Sequence, residues 1–481
     1  MRNKKVTMIP LVLCEVYWIM SYIIYRFGVM EHPFKKDIWA AIFVGACNLF
    51  FGVGYIWIVR YRKKTESVAC EYSINIAKFL WFAIIVSIII AIPNSIRYTG
   101  DWYPHVITAL KNPGEVYLRV INNIFNSTAI NWIALFDFFP FVIFPLIYFY
   151  WDRLEKKIKI IGCAVTAYYL AIYCSCGRNM PITYFAFSVV ITYFVILCSG
   201  IQKNRKEVIR NVVIALVMLT LATVMFKVNL ESRTLYSTDV EEELNLLEAT
   251  TVVTKTGNDD VFLQYKDLII TNEQKEACER VAEIFPMYTN PYTKSYVKTD
   301  DPIYRFLPES MRFIYVMGSS YLSSSYHVLS VAMRMDFEWT YGMGNSQFLM
   351  DYFNRFTGIN INERTYGYRS VNLTEPSIVS TYGWPTSYVQ FASDLTFPGV
   401  IVLFFVLGML TSIVWIEVTS TRNVLGVPLL IEMALLCLFV PANCITFGSG
   451  GYFTIFFGSL VLFLMSLFWA RKKAKADMGN N

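Results

Sequence analysis

Charge is scarce in this sequence: only 16% of its 481 residues are Asp, Glu, Lys or Arg, whereas 55% are hydrophobic and 17% aromatic. So little polar side-chain surface cannot cover a soluble globule of this length, and the chain belongs in lipid. Histidine is nearly missing, with His32, His105 and His327 alone. No glycine-rich phosphate loop, no His-Glu-x-x-His and no paired-cysteine spacing occurs, so neither nucleotide-driven nor zinc chemistry is indicated and no cofactor is implied. The acidic pairs Asp259 with Asp260 and Asp300 with Asp301 lie in a solvated stretch and make poor metal sites. Of the ten cysteines only Cys278 lies well outside the apolar stretches, which argues against a disulfide framework. Internal repeats are absent too, which counts against a transporter built from two similar halves.

What the chain does have is ten apolar stretches, each close to the roughly 20 residues that cross a hydrocarbon core about 30 Å thick. They run Thr7 to Tyr25, Trp39 to Val59, Ala77 to Pro93, Ile130 to Tyr150, Ile158 to Cys176, Pro181 to Cys198, Ile209 to Phe226, Thr396 to Ile416, Val424 to Ile445 and Tyr452 to Trp469. The expected fold is therefore an all-α polytopic membrane protein of about ten transmembrane helices, with one large, partly helical loop. Its three parts are a membrane region over 1–226, the loop over 227–395 and a second membrane region over 396–481. A kink is expected near Pro93 and Asn94.

Lysine and arginine flank alternate ends of these stretches: Lys4 and Lys5, then Arg60 to Lys64, Arg153 to Lys159, Lys203 to Lys206, and Arg471 to Lys475. Basic flanks stay in the cytoplasm, so both termini are expected there and the long insert outside. The same flanks account for most of the net charge of +6 and give no reason to expect nucleic acid. No small-residue cleavage site follows the first stretch, which reads as a retained helix.

The insert changes character along its length. From Glu231 to Glu309 it carries 16 acidic residues against 8 basic, a solvated surface. From Ser310 to Leu395 every basic residue is an arginine, among them Arg312, Arg334 and Arg369, and no lysine occurs between Lys298 and Lys472. A guanidinium binds two phosphate oxygens at once, so arginines at a bilayer suit a pyrophosphate; surface ion pairs with the nearby acids are the alternative. Arg178 sits in Ser-Cys-Gly-Arg-Asn-Met-Pro, a short turn where Gly177 frees the backbone and Pro181 can open the next helix. It is a further pyrophosphate candidate, or a side chain snorkelling to the headgroups. His327 and Asp394 are the candidate acid and base residues; packing and helix capping are their simpler roles. Tyr326, Trp339, Tyr382 and Trp384 belong to an aromatic-rich run whose rings suit either stacking on sugars or the membrane interface.

Cys-Gly-Arg at 176 to 178, and Ser-Thr-Tyr-Gly-Trp-Pro-Thr-Ser-Tyr-Val-Gln-Phe-Ala-Ser-Asp-Leu-Thr-Phe-Pro-Gly at 380 to 399 ahead of a helix containing Gly408, carry a resemblance over nearly the whole chain. The chain resembles the Wzy-type polysaccharide polymerases, the O-antigen or oligosaccharide repeat unit polymerase family. The spaced Arg and Gly pattern of some members' outer loops is not found here. The resemblance implies a GT-C-like architecture in the bacterial plasma membrane. It also implies a metal-independent transfer of a glycan chain from an undecaprenyl diphosphate carrier to a newly arrived lipid-linked repeat. The implied partners are those lipid-linked oligosaccharides and the bilayer, with the repeat-unit flippase and a chain-length regulator as further candidates. A flippase for the same lipid, a glycan ligase and a transferase using polyprenyl-monophosphate sugars are the competing readings.

Overall fold

Inside a bilayer no water is present to bond the backbone, so an apolar stretch satisfies its own N–H and C=O groups as a helix. The computed structural model describes residues 4–30, 36–61, 76–112, 116, 131–200, 204–243, 298, 300–323, 325–372, 385–420 and 423–479. The first membrane region holds α1 (Lys4–Phe27), α2 (Ile38–Tyr61), α3 (Ile76–Ile89), α4 (Ala91–Thr99), α5 (Val106–Lys111), α6 (Phe138–Phe149), α7 (Lys156–Ser175), α8 (Asn179–Ser199) and α9 (Arg205–Glu243). In the insert lie α10 (Pro302–Phe306), α11 (Glu309–Ser323), α12 (Ser325–Ala332), α13 (Gln347–Thr357) and α14 (Tyr366–Asn372). The chain then forms α15 (Ser387–Ser420), α16 (Val427–Phe439), α17 (Ile445–Gly448) and α18 (Gly450–Gly479).

All ten apolar stretches are helical, but they are not ten equal spans. Among the described residues seven helices are long and apolar enough to cross a membrane, and α3 with α4 makes an eighth if that pair, bent by 53°, is one span. The protein is a multi-pass membrane protein. Pro93 explains the bend, because its ring would strike the carbonyl of Ile89 one turn earlier. The two stretches that fall short are 130–150, which opens with a 3-10 turn at Asn131–Phe136, and 424–445, whose helix stops at Phe439 ahead of Pro441. Nearly every residue of α16 is buried, so it lies inside the bundle, where lipid does not set its length.

Two glycines decide how the bundle closes. A Cβ on Gly54 would lie 2.1 Å from the carbonyl oxygen of Phe405, and one on Gly408 would lie 2.1 Å from that of Phe51. Helices α2 and α15 therefore touch backbone to backbone, each glycine facing the carbonyl three residues before the other, as small residues permit in membranes. The two helices run in the same direction, with Phe43 against Phe397 at one end. Helix α1 runs opposite to both. Its early residues Val6 and Thr7 accept hydrogen bonds from Trp415 (3.0 Å) and Tyr55 (2.7 Å). Further along, the Trp18 ring meets Phe51 and Phe404, and its indole N–H donates to the Cys437 carbonyl at 2.7 Å.

The insert's helices seat on one end of this bundle, here the cap side. Every residue of α12 is buried. Its Tyr326 hydroxyl lies 2.9 Å from the Ser21 hydroxyl of α1, and Ser325 donates to the Ala442 carbonyl at 2.9 Å. Helix α13 lays Phe348 across Gly450, where a Cβ would come within 2.6 Å of the ring. The boundaries expected at 226 and 396 fall inside helices. Helix α9 continues to Glu243, and α15 crosses the second boundary with a break at Thr396 (φ 62°, ψ 165°).

Replacing Gly54 or Gly408 by alanine should lower the thermal midpoint of the detergent-purified protein, by the roughly 1–3 kcal/mol that overpacking costs. Gly45→Ala, where a Cβ meets nothing within 4 Å, is the neutral control. Equal melting of all three variants would remove the helix contact as a determinant of the fold.

Candidate functional site

Three arginines of the insert bind different parts of the fold. Arg312 donates its Nε to the carbonyls of Tyr304 and Leu307, both at 3.1 Å, and lies over the Tyr304 ring, tying α10 to α11. Arg334 reaches Asp37 at the start of α2, Nη1 to Oδ2 at 2.7 Å, and also donates to the Ser330 carbonyl. Arg369 is buried, donating to Glu338 at 3.1 Å and to the Asp336 carbonyl at 2.6 Å while lying over the Tyr366 ring. Arg312, Arg334 and Arg369, expected as a pyrophosphate cradle, act here as braces, each facing a carbonyl, a carboxylate or both.

The other candidates divide similarly. Tyr326 is fully buried among the rings of Tyr22, Tyr25 and Tyr388, so no face is open to a sugar and its role is packing. His327, beside it on α12, is buried as well. Asp394 accepts from Thr340, from the amides of Gly344 (2.9 Å) and Asn345 (3.1 Å), and from the Asn345 side chain (2.9 Å). That carboxylate holds a loop. Trp339 is exposed, whereas Tyr382 and Trp384 lie outside the described residues.

A second charged cluster lies on the cap side of the bundle, and there the helices do converge. The bend between α3 and α4 brings Asn94 and Arg97 against Asp137, which precedes α6. Arg97 Nη2 donates to Asp137 Oδ2 at 2.7 Å, Asn94 Nδ2 to Oδ1 at 3.1 Å, and the Tyr98 hydroxyl to Oδ2 at 3.4 Å. Arg97 Nη1 returns to Asn94 Oδ1 at 3.2 Å, so the carboxylate and its cation are held from several sides. Gly451, in the first turn of α18, presses on this pair: a Cβ there would lie 2.3 Å from Asp137 Oδ2 and 3.0 Å from Arg97 Nη2.

Beside the pair opens a narrow cleft of about 30 Å³, lined by Tyr98, Asp137, Tyr169, Tyr173, Tyr184 and Tyr452 among others, room for about two water molecules. Tyr184 stacks on Tyr452 with centroids 4.5 Å apart and donates its hydroxyl to Glu432, which is wholly buried. The second oxygen of Glu432 has no hydrogen-bond partner among the described residues. Arg178 caps α8 from an exposed position and interacts electrostatically with Tyr98 and Tyr452. Gly177 before it adopts φ 60°, the turn that its sequence anticipates.

Charges buried in a membrane bundle are costly and mark functional groups by default. Here one carboxylate on the cleft wall, the arginine bonded to it, a row of phenols and an exposed guanidinium nearby make up the candidate site. Of the expected residues among those described, Arg178 lies within electrostatic reach of the cleft's Tyr98 and Tyr452. The sequence reading missed Arg97 and Asp137 as a pair, although a cation just past the third apolar stretch and an acid inside the fourth were the available sign.

Two stability measurements test these contacts. Arg97→Met alone strands Asp137 and should cost about 3–5 kcal/mol, while adding Asp137→Leu should recover much of it; simple additivity would mean the pair is not coupled. Burial raises the pKa of Asp37, but Arg334 and the Trp39 amide outweigh it and hold the carboxyl below its usual value. The contribution is therefore present above pH about 4 and lost as pH falls through the lowered value. Asp37→Asn should flatten that acid limb of a melting profile, and an unaltered limb would exclude the contact as its source.

No protein-family model, no curated protein and no solved structure matches this chain.

Proposed function

We propose that the protein polymerises oligosaccharide repeat units carried on undecaprenyl diphosphate, at the outer face of a bacterial plasma membrane. In this reading both termini are cytoplasmic and the cap is extracytoplasmic. The observation that carries the proposal is the Arg97–Asp137 cluster beside a tyrosine-lined cleft on the cap side, with Arg178 exposed next to it. A lipid-borne diphosphate would reach such a site laterally, its headgroup at the level of Arg178 and its saccharide toward the cap. The resemblance of 176–178 and 380–399 to the Wzy-type polymerases supports the same assignment.

The chemistry is a glycosyl transfer. A hydroxyl of the acceptor repeat attacks the anomeric carbon of the donor chain; the new C–O bond forms as the bond to the diphosphate breaks. The acceptor's proton passes to a carboxylate, for which Asp137 is the group on the cleft wall, and the diphosphate leaves with the bonding electrons. Negative charge grows on that leaving group. A fixed donor aimed at it contributes about 3–4 kcal/mol to the transition state, and Arg178, backed by Arg97, is assigned that part.

One observation favours a second reading. Glu432, buried and bonded to Tyr184, resembles the intramembrane acids of proton-coupled carriers, which would make the protein a flippase for the same lipid. Purified protein given synthetic undecaprenyl-diphosphate repeats in detergent separates the two. A polymerase yields a ladder of chain lengths, and Arg178→Ala, an exposed change, should slow it about 100- to 1,000-fold without altering the melting temperature. Intact substrate in detergent together with its transfer across proteoliposomes would replace the polymerase by the flippase.

A further inference from the structure

In the loop that joins α12 to α13, exposure alternates over residues 339–341. Trp339 and Tyr341 are 57% and 41% exposed, while Thr340 between them is 0% exposed. The Thr340 hydroxyl donates to the Ser393 carbonyl at 2.7 Å, and Asp394 binds the loop again at Thr340, Gly344 and Asn345. With its middle and far end fastened to α15, the loop turns its two aromatic side chains outward. Tyr341 stands at φ 57°, a left-handed conformation that bulky side chains rarely adopt. Strain of about 1–3 kcal/mol persists only where the surroundings impose it, and it gathers at ligand sites.

The rings form a continuous row. Trp339 and Tyr341 have centroids 4.9 Å apart, and Tyr341 stacks on Phe353 of α13 at 5.6 Å with planes 21° apart. Arg364 fixes the phenol, donating to its hydroxyl at 3.2 Å with the guanidinium 5.5 Å from the ring. At the other end Glu338 stands next to Trp339 in sequence, its side chain 50% exposed and bonded to Arg369. A pyranose offers a face of C–H groups that lies flat on such rings, and hydroxyls around its rim that need charged or polar partners. Arg364, on the Tyr341 hydroxyl, and Glu338, next to Trp339 in the chain, supply charged groups of that kind. A headgroup contact needs no fixed ring geometry and would not place a half-exposed carboxylate beside the tryptophan.

We propose that Trp339, Tyr341 and Phe353, edged by Arg364 and Glu338, form a binding ledge for a pyranose oligosaccharide. The inference rests on the polymerase reading only for the source of that glycan, which would be the growing chain held away from the cleft.

Lipid-free ligands test it separately from catalysis. The full-length protein in nanodiscs would be applied to an array of neutral and acidic pyranose oligosaccharides, and dissociation constants measured for the best binder by titration calorimetry. Trp339→Ala should weaken binding about tenfold and Trp339→Phe much less, with melting temperatures unchanged because the side chain is exposed. Arg178→Ala should bind as the unmodified protein does, so loss of polymerisation with binding intact counts against the cleft and not the ledge. Absence of binding to every oligosaccharide, or equal affinity in Trp339→Ala, would overturn the proposal. So would Trp339-dependent binding to phosphatidylglycerol vesicles in the absence of any sugar binding, which would make the row a membrane contact.

Discussion

The contact between α2 and α15 at Gly54 and Gly408 is the constraint around which the rest is arranged. Lipid supplies no hydrophobic drive for one apolar helix to join another, so association depends on close packing and shared hydrogen bonds. Two missing side chains let the backbones meet, and the ridge so formed receives α1 along one flank. The aromatic residues that fill the angles, Trp18, Phe51, Phe404 and Tyr388, pack edge to face or stacked at 4.9 to 5.6 Å. On that ridge the cap finds its seat, because Tyr326 of α12 reaches Ser21 and the Tyr388 ring.

A second constraint operates on charge. Two buried carboxylates each take an arginine from a distant part of the chain. Arg97 takes Asp137, 40 residues on, and Arg334 takes Asp37, 297 residues back. These pairings convert what composition suggests is a pool of free cations into braces, and they leave Arg178 as the exposed guanidinium beside the tyrosine cleft. The cluster and the cap therefore belong to one arrangement: Gly450 carries Phe348 of the cap, and Gly451 next to it touches the ion pair.

Much of the fold could be read from the sequence, because its signals are local. Apolar length placed all ten segments on helices, and Gly177 with Pro181 marked a turn, which Gly177 makes with a left-handed φ. Pro93 foretold a bend that occurs one turn before it, between Ile89 and Ala91. The site was less legible. An arginine in a polar stretch carries no record of which carboxylate faces it, so Arg312, Arg334 and Arg369 could be read as ligand groups when each has a structural partner. An aromatic residue likewise looks the same whether enclosed, as Tyr326 is, or open, as Trp339 is. Asp394 was singled out as a candidate acid or base, or a helix cap, and its four bonds to one loop emerge only when residues 340–345 fold back onto α15.

The break in α15 at Thr396 separates mechanical duties within one helix. The turns before it, with Asp394, are fastened to the cap; those after it, from Phe397 onward, lie against α2. Thr396 therefore marks where one helix stops holding the loop and starts holding the bundle, so the loop's attachment does not depend on an unbroken helical path into the membrane.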